Sequence, residues 1–311
     1  MPGIGVVINP YSRQHRKNPD QIKRLGFVVG DKASCQTTDD LQDLRRVAES
    51  FKTRDIDILA IGGGDGTNHQ TLSQFIEVYG EKPLPKVTFL RGGTTNTVAG
   101  ACRIKGDPEK ILSNLIYKYH QDQPFETTEL DLMQINGSKY GFIFGTGLIY
   151  RFMEAYYTRL GMPPSVFKSV ITLGWSVASA SFNTKFAREL FERYDGEVWV
   201  DGKKWDFENW STIFAGSIPV LGLNCKIFHF SEAYQKFHAM GISIPPRDVL
   251  KHVPRMFQGK PSLCKDLIEA PASEMKIELA EPIAYTVDGE MLKPEKSFMV
   301  KTGPRLTILV G

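Results

Sequence analysis

The residues best suited to chemistry stand in two glycine-rich turns and one acidic pair. Gly62-Gly63-Gly64-Asp65-Gly66-Thr67 directly follows the apolar run Asp57–Ile61. Glycines let backbone take positive φ or approach a ligand closely. The amides of such a turn, with the N-terminus of the helix that follows, suit a phosphate. Asp65 adds a carboxylate of the kind that holds Mg²⁺ directly or through water. The spacing is neither GxxxxGK[ST] nor GxGxxG, which disfavours a P-loop and a Rossmann dinucleotide site. A second glycine-bearing turn, Gly92-Gly93-Thr94-Thr95-Asn96, follows Lys86–Leu90. Further on, Asp288-Gly289-Glu290 offers two carboxylates at i,i+2. On extended backbone that spacing aims both to one side, where they can hold a metal or raise one pKa for proton transfer. Asp-Gly is equally a strong hairpin-turn signal, and the spacing leaves both readings open.

The elements needed to position these groups change type along the chain. Ile4–Ile8, ending at Asn9-Pro10, reads as a buried strand. Ile22–Val29 reads as a helix end running into a second strand, and Thr38–Phe51 as a helix opened by a cap residue and early acids. Asp57–Ile61 and Lys86–Leu90 are strands; Thr71–Tyr79 and Asp107–Tyr119 are helices. Strands separated by helices predict an α/β domain with a parallel sheet, assigned to residues 1–125. From residue 126 to 311 strands dominate: Glu129–Ile135, an Asn136-Gly137 hairpin, Tyr140–Phe144, Gly196–Val200, Thr212–Gly216, Met275–Leu279, Ile283–Val287 and Leu306–Val310. A helical insertion interrupts them over about 151–193.

In order along the chain, these segments resemble the diacylglycerol kinase catalytic family, which includes the sphingosine and ceramide kinases. The resemblance rests on Asn9-Pro10 with Ser12, Gly63-Gly-Asp-Gly-Thr67, Gly93-Thr-Thr-Asn-Thr-Val-Ala99 and its continuation to Leu112. It continues through Glu129-Leu-Asp-Leu132, Gly145-Thr-Gly147 and Asp288-Gly289-Glu290. The family implies an N-terminal α/β domain and a C-terminal β-sandwich. It implies ATP and Mg²⁺ as cofactors and transfer of the γ-phosphoryl group to a lipid hydroxyl. Such transfer depends on positioning, charge neutralisation and a base near the hydroxyl. Carried onto this chain, Gly63, Gly64, Gly66 and Thr67 would cradle phosphates, and Thr94 and Asn96 would complete the nucleotide wall. Asn9, Ser12 and Thr38 would line the same site, with Thr38 where the family often has a nucleotide-contacting Thr. Asp65 would organise Mg²⁺. Asp288 becomes the candidate base with Glu290 as its acidic neighbour, and Asp65 is its rival.

The chain departs from the family pattern at several points. Arg13 follows Ser12 where Gly is usual, and with Arg16 and Lys17 it makes that loop basic. Arg91 stands where relatives usually have Pro. His69-Gln70 replaces a Glu, and Ile149 occupies a position where lipid kinases often carry a headgroup-contacting acid. Residues 222–242 lack the Asp-Asp-Gly-Leu segment by which some bacterial members hold a structural Mg²⁺, so no metal is expected there. The insertion carries Arg151, Arg159, Lys168, Lys185 and Arg188 with Phe152, Tyr156, Tyr157, Phe167, Trp175 and Phe182. That composition suits either a helix at a membrane interface or one packed on the sandwich.

Composition removes other classes. A net charge of +3 over 311 residues is too mild for a nucleic-acid reader. The four Cys lie far apart without a CxxC pair, which argues against a zinc site or a disulfide scaffold, and the six His (His15, His69, His120, His229, His238, His252) are scattered without metal spacing. Val166–Phe182 contains Lys168 and falls short of the roughly 20 apolar residues of a membrane span. No signal peptide is read at Met1-Pro-Gly-Ile-Gly. The expectation is a cytoplasmic enzyme that reaches its lipid substrate peripherally at the inner face of the membrane. An NAD-kinase-like enzyme with a soluble substrate, or a catalytically weak binding protein on the same fold, is the alternative. The oligomeric state is left open, a homodimer included.

Overall fold

A computed structural model describes residues 3–28, 33–38, 40–93, 96–158, 184–221, 225–245, 258–261 and 264–310, with isolated positions between these ranges. The chain divides into two compact units. The first is Met1–Leu130 with Ser138–Tyr140 and Arg305–Gly311; the second is Asp131–Gly137 with Gly141–Pro304. The first unit therefore runs past the boundary read at residue 125 and also takes in the C-terminal strand end.

In the first unit, strands β1 (Ile4–Ile8), β2 (Ala33–Thr37), β3 (Ile58–Gly62) and β4 (Lys86–Phe89) form a parallel sheet in the order β4-β3-β1-β2. The C-terminal end of β15 (Glu290–Val310) extends it beside β4, with Ile308 opposite Val87. Every residue of β1 and β3 is buried, as a parallel sheet covered on both faces requires. The covering helices are α1 (Arg13–Lys17), α2 (Asp20–Val28), α3 (Leu41–Arg54), α4 (Asp65–Tyr79), α5 (Thr97–Ala101) and α6 (Pro108–His120). Helix α3 buries Leu44, Ala48 and Phe51, and the Phe51 ring meets Phe75 of α4 edge-on at 6.2 Å. Gly5 in β1 leaves room for that ring, since a Cβ there would lie 2.5 Å from it.

Two details differ from the sequence reading. Residues 20–28 are helical throughout, and the second strand is Ala33–Thr37, whose Ala-Ser-Cys-Gln-Thr lacks the β-branched run that marks a buried strand. The cap of α3 is Asp40, not Thr38: its carboxylate accepts the Asp43 amide at 2.8 Å.

The second unit is antiparallel and strand-rich. It is built from the distal part of β5 (Glu126–Ile135), β6 (Lys139–Gly141, of which only Gly141 lies in this unit), β7 (Ile143–Thr146), β8 (Tyr194–Val200), β9 (Lys203–Lys204) and β10 (Asn209–Trp210). To these it adds β11 (Thr212–Gly216), β12 (Phe237–Ile242), β13 (Leu267–Ala272), β14 (Glu274–Val287) and most of β15. Pairing runs β13-β12-β11-β7-β14-β15, with β8 on the other part of β14. Strands from both sides close on one core that includes Met133, Phe144, Val198, Trp210, Tyr285 and Phe298. This is the strand-on-strand packing expected of a β-sandwich. The segments read as separate strands at 275–279 and 283–287 form a single β14, whose register shifts between Glu278 and Ile283. The described ends of the insertion are helical: α7 (Leu148–Thr158) and α8 (Lys185–Leu190). Leu148 and Phe152 pack there against Ala155, Phe186, Leu190 and Phe191. Arg151 reaches back to the Glu192 carbonyl at 2.6 Å and its carboxylate at 3.2 Å. Tyr156 is buried, whereas Tyr157 is 45% exposed. Most of the remaining basic and aromatic residues of the insertion lie outside the described residues. Among the described residues, no helix is long and apolar enough to cross a membrane.

Candidate functional site

The strand order β4-β3-β1-β2 fixes where the crevice of this sheet lies. The chain leaves β1 toward β2 on one side, then crosses to β3 on the other. The carboxyl ends of β1 and β3 therefore flank a topological switch point, the usual ligand crevice of an open α/β sheet. Asn9 follows β1 and donates its amide to the Gly62 carbonyl at 3.0 Å. Its side-chain Nδ2 donates to Thr67 Oγ1, also at 3.0 Å. Thr38 follows β2, is buried, and donates its amide to the Ile8 carbonyl at 3.1 Å. The fold thus gathers Asn9, Thr38 and Gly62–Thr67 from three separate segments onto the ends of neighbouring strands.

The glycines serve a purpose that sequence reading only partly anticipates. None of Gly62, Gly63, Gly64, Gly66, Gly92 or Gly93 has positive φ. What they permit is the packing of one turn against the other. A Cβ on Gly93 would sit 2.5 Å from Gly64 Cα; one on Gly92 would sit 3.0 Å from Gly63 Cα. A Cβ on Gly64 would meet Gly93 Cα at 3.1 Å, and one on Gly63 would strike the Thr67 side chain at 2.4 Å. Side chains at Gly64, Gly92 and Gly93 would drive the turns apart, and one at Gly63 would displace Thr67 within its own turn. Gly66 differs, because nothing lies within 4 Å of its would-be Cβ.

Asp65 opens α4 and joins the two turns. Its Oδ2 accepts the Thr97 amide at 3.0 Å and its Oδ1 the Val98 amide at 3.2 Å. The carboxylate therefore caps α5 from a separate element. Two of its roughly four lone-pair positions are used in this way, so the group that would hold Mg²⁺ also sets the second turn. Asn96 stands in the left-handed region at φ 49°. Its Oδ1 accepts the Gly93 amide at 2.9 Å and its Nδ2 donates to the Gly93 carbonyl at 3.2 Å. Thr94 lies outside the described residues. Arg91 has φ 53°, which proline's ring forbids; the departure from the family's Pro at this position has a backbone cause.

His15, which motif reading missed, packs against the candidate site residues Asn9 and Ser12. It is buried, and its Nδ1 lies 2.8 Å from the Asn9 carbonyl and 2.9 Å from Ser12 Oγ. One tautomer satisfies both contacts: Nδ1–H donates to the carbonyl and the hydroxyl oxygen, leaving the Ser12 hydroxyl proton for another acceptor. Burial lowers the His15 pKa below its ordinary value, against a smaller opposing effect of the Asn9 carbonyl. The signal for it was a lone His three residues after Ser12, which carries no motif. Arg16 and Lys17 are exposed on α1, and the Arg13 side chain lies outside the described residues. His69, which stands beside the missing acid at Gln70, is buried with Nδ1 2.7 Å from the Tyr140 carbonyl.

Asp288 and Glu290 belong to the second unit. Asp288-Gly289 is the two-residue turn between β14 and β15, with φ 49° and 83° and with Val287 paired to Glu290. The backbone is not extended there, so the i,i+2 argument for two carboxylates on one side does not hold. Asp288 is nonetheless buried. Its Oδ1 accepts the Phe142 amide at 3.0 Å and the Ile143 amide at 2.8 Å. Its Oδ2 accepts from Phe142 at 3.1 Å. A Cβ on Gly141 would reach this carboxylate at 2.9 Å. Ile149 packs on Gly145, whose would-be Cβ lies 2.8 Å from the Ile149 side chain.

A parallel sheet with two interlocked glycine turns at the carboxyl ends of β3 and β4 defines an open α/β domain with a crevice at its β1/β3 switch point. Residues 3–126 match the family model of the diacylglycerol kinase catalytic domain, which bears out the resemblance read in the sequence and supports a kinase-family function. Among solved structures, the chain is similar to a provisionally named diacylglycerol kinase from Bacillus anthracis str. Sterne. That likeness has a TM-score of 0.70 and 14% identity, covering 99% of this chain and 97% of the other. A second structure, of a diacylglycerol kinase from the same organism, gives 0.66 and 15% with the same coverage. At such identity the likeness establishes the fold. No curated protein matches the chain.

Proposed function

We propose that the protein is an ATP- and Mg²⁺-dependent lipid kinase that phosphorylates a lipid hydroxyl, on a substrate such as diacylglycerol, ceramide or a sphingoid-like base. The observation that carries this reading is the pair of glycine turns at the β1/β3 switch point. Bare backbone is presented there, with the Asn9–Thr67 hydrogen bond on one side and the Asp65 cap on the other. Amides of residues 63–67 bind the ATP phosphates, and Ser12, Thr38 and Asn96 line the nucleotide. Asp65 fits a Mg²⁺ ligand, direct or through water; the ion, when bound, neutralises phosphate charge. Asp288 takes the proton from the acceptor hydroxyl. The hydroxyl oxygen forms its bond to the γ-phosphorus as the bond to the ADP oxygen breaks. The enzyme works peripherally at the inner face of the membrane.

The test is to incubate the purified protein with labelled ATP, Mg²⁺ and a panel of diacylglycerol, ceramide, sphingoid base, phosphatidylglycerol and NAD. Label in an organic-extractable product is the expected result. Label only in aqueous NADP would instead support an NAD-kinase-like enzyme. A weakly catalytic lipid- or nucleotide-binding protein is the second reading. It is favoured by the apolar packing of Ile149 where lipid kinases often carry an acid, and it predicts binding without transfer.

A further inference from the structure

Outside the site described above, three ligand-type side chains converge in the second unit. His229 precedes β12, His238 lies near its start, and Glu269 lies on β13. In the β12–β13 register, Met240 is opposite Glu269, so His238 is its diagonal neighbour on the same face. One ligand atom from each residue lies within 4.8 Å of the other two. His229 Nε2 is 3.5 Å from Glu269 Oε1, and His238 Nε2 is 3.5 Å from Glu269 Oε2. Both histidine Nε2 atoms are buried and make no hydrogen bond. The His238 side chain is fully buried, and those of His229 and Glu269 are 17% and 13% exposed. Phe228 and Phe230 wall the cluster, the latter stacked on His238 at 5.1 Å.

From this geometry we infer that His229, His238 and Glu269 form a binding site for a divalent transition metal of the zinc type. A separation of 3.5 Å is too long for a good hydrogen bond. Each of these two His–Glu separations, made to a different carboxylate oxygen, is close to the edge of a ligand tetrahedron, which at metal–ligand distances of about 2.0–2.1 Å is about 3.3–3.4 Å. Two imidazoles and one carboxylate suit zinc rather than magnesium or calcium, which prefer oxygen. A water entering past His229 and Glu269 completes the four. The site would pin the segment before β12 to the β12–β13 hairpin. It revises the expectation that residues 222–242 hold no metal, because one ligand lies about 30 residues downstream and no local spacing reveals it. One feature opposes the metal form. His238 Nδ1 faces the Phe230 amide at 3.3 Å, which places the ring proton on Nε2 in the metal-free protein. Ligation moves that proton to Nδ1 and gives up the Phe230 contact.

The test uses the full chain without an affinity tag, stripped with a chelator, then titrated with zinc alone and dialysed against a weak competing chelator. About one equivalent is retained, and cobalt in place of zinc gives the strong visible absorption of a four-coordinate site. His229→Gln and Glu269→Gln, each partly exposed and checked for native circular dichroism, lower the affinity at least about tenfold. No retained metal, or retention unaltered in both variants, overturns the inference.

Discussion

Gly93→Ala separates the packing role of the glycine turns from their proposed role in phosphate binding, when compared with Gly66→Ala. The new Cβ at residue 93 would lie 2.5 Å from Gly64 Cα and 3.1 Å from Asn96 Oδ1. Ordinary carbon contacts lie near 3.5–4.0 Å, so about 1 Å of overlap falls on backbone that no rotamer change can clear. Overpacking of this kind costs about 1–3 kcal/mol, and the upper half applies because the struck atom is a Cα. In a unit of this size each kcal/mol shifts Tm by about 2–4 °C, so Gly93→Ala lowers Tm by about 4–12 °C. At Gly66 the added methyl meets nothing within 4 Å and lies in the first turn of α4. There it gains up to about 0.5–1 kcal/mol through lower unfolded-state entropy and better helix propensity. That same methyl stands where phosphate would approach the amides. Differential scanning calorimetry with and without ATP-Mg²⁺ reads both effects. Gly66→Ala should match or exceed the wild-type Tm while losing most of the ATP-induced shift. An unchanged Tm in Gly93→Ala would refute the interlocked turns, and a full ATP shift in Gly66→Ala would refute the cradle.

The other predictions follow from the same contacts. Asn96→Ala loses both hydrogen bonds to Gly93 and leaves a Cβ residue at φ 49°, costing about 2–3 kcal/mol in urea unfolding; Asn96→Gly costs less because glycine tolerates that φ. Asp65→Ala strips the caps from the Thr97 and Val98 amides and costs about 1–2 kcal/mol, while Mg²⁺-dependent transfer falls further than stability predicts. Asp288→Asn keeps a side chain tolerated at φ 49° and an oxygen for the Ile143 amide. It therefore folds, and transfer drops by about 10²–10⁴ if Asp288 is the base; unchanged turnover moves that role elsewhere. His15 has a folded pKa below its ordinary 6.5, so the unfolded chain binds more protons between the two values. Its contribution is present above pH 6.5 and lost as pH falls below it; the urea midpoint of His15→Gln should be flatter than wild type between pH 7 and 5.

What the sequence showed and what it hid divide along physical lines. Strands β1 and β3 were legible because burial on both faces demands unbroken apolar runs, and GGGDGT was legible because a run of glycines directly after an apolar strand marks a turn without side chains. Strand β2 was hidden, since Ala-Ser-Cys-Gln-Thr signals little and takes its strand state from pairing with β1. The turn Asp288-Gly289 was legible as a turn. What local spacing could not show is that its carboxylate turns inward to the amides of Phe142 and Ile143, about 145 residues away in sequence. The His229–His238–Glu269 cluster was invisible for the same reason, because Glu269 lies 31 residues beyond His238, whereas His15 was missed because a lone His near Ser12 and Asn9 carries no motif. The glycine turns show the complementary case. Their composition was read as a device for approaching phosphate, yet backbone packed on backbone already requires Gly64, Gly92 and Gly93, and the Thr67 side chain requires Gly63. Only Gly66 remains without a structural demand, and so the weight of the phosphate-binding reading falls on the residue whose methyl the fold would accept.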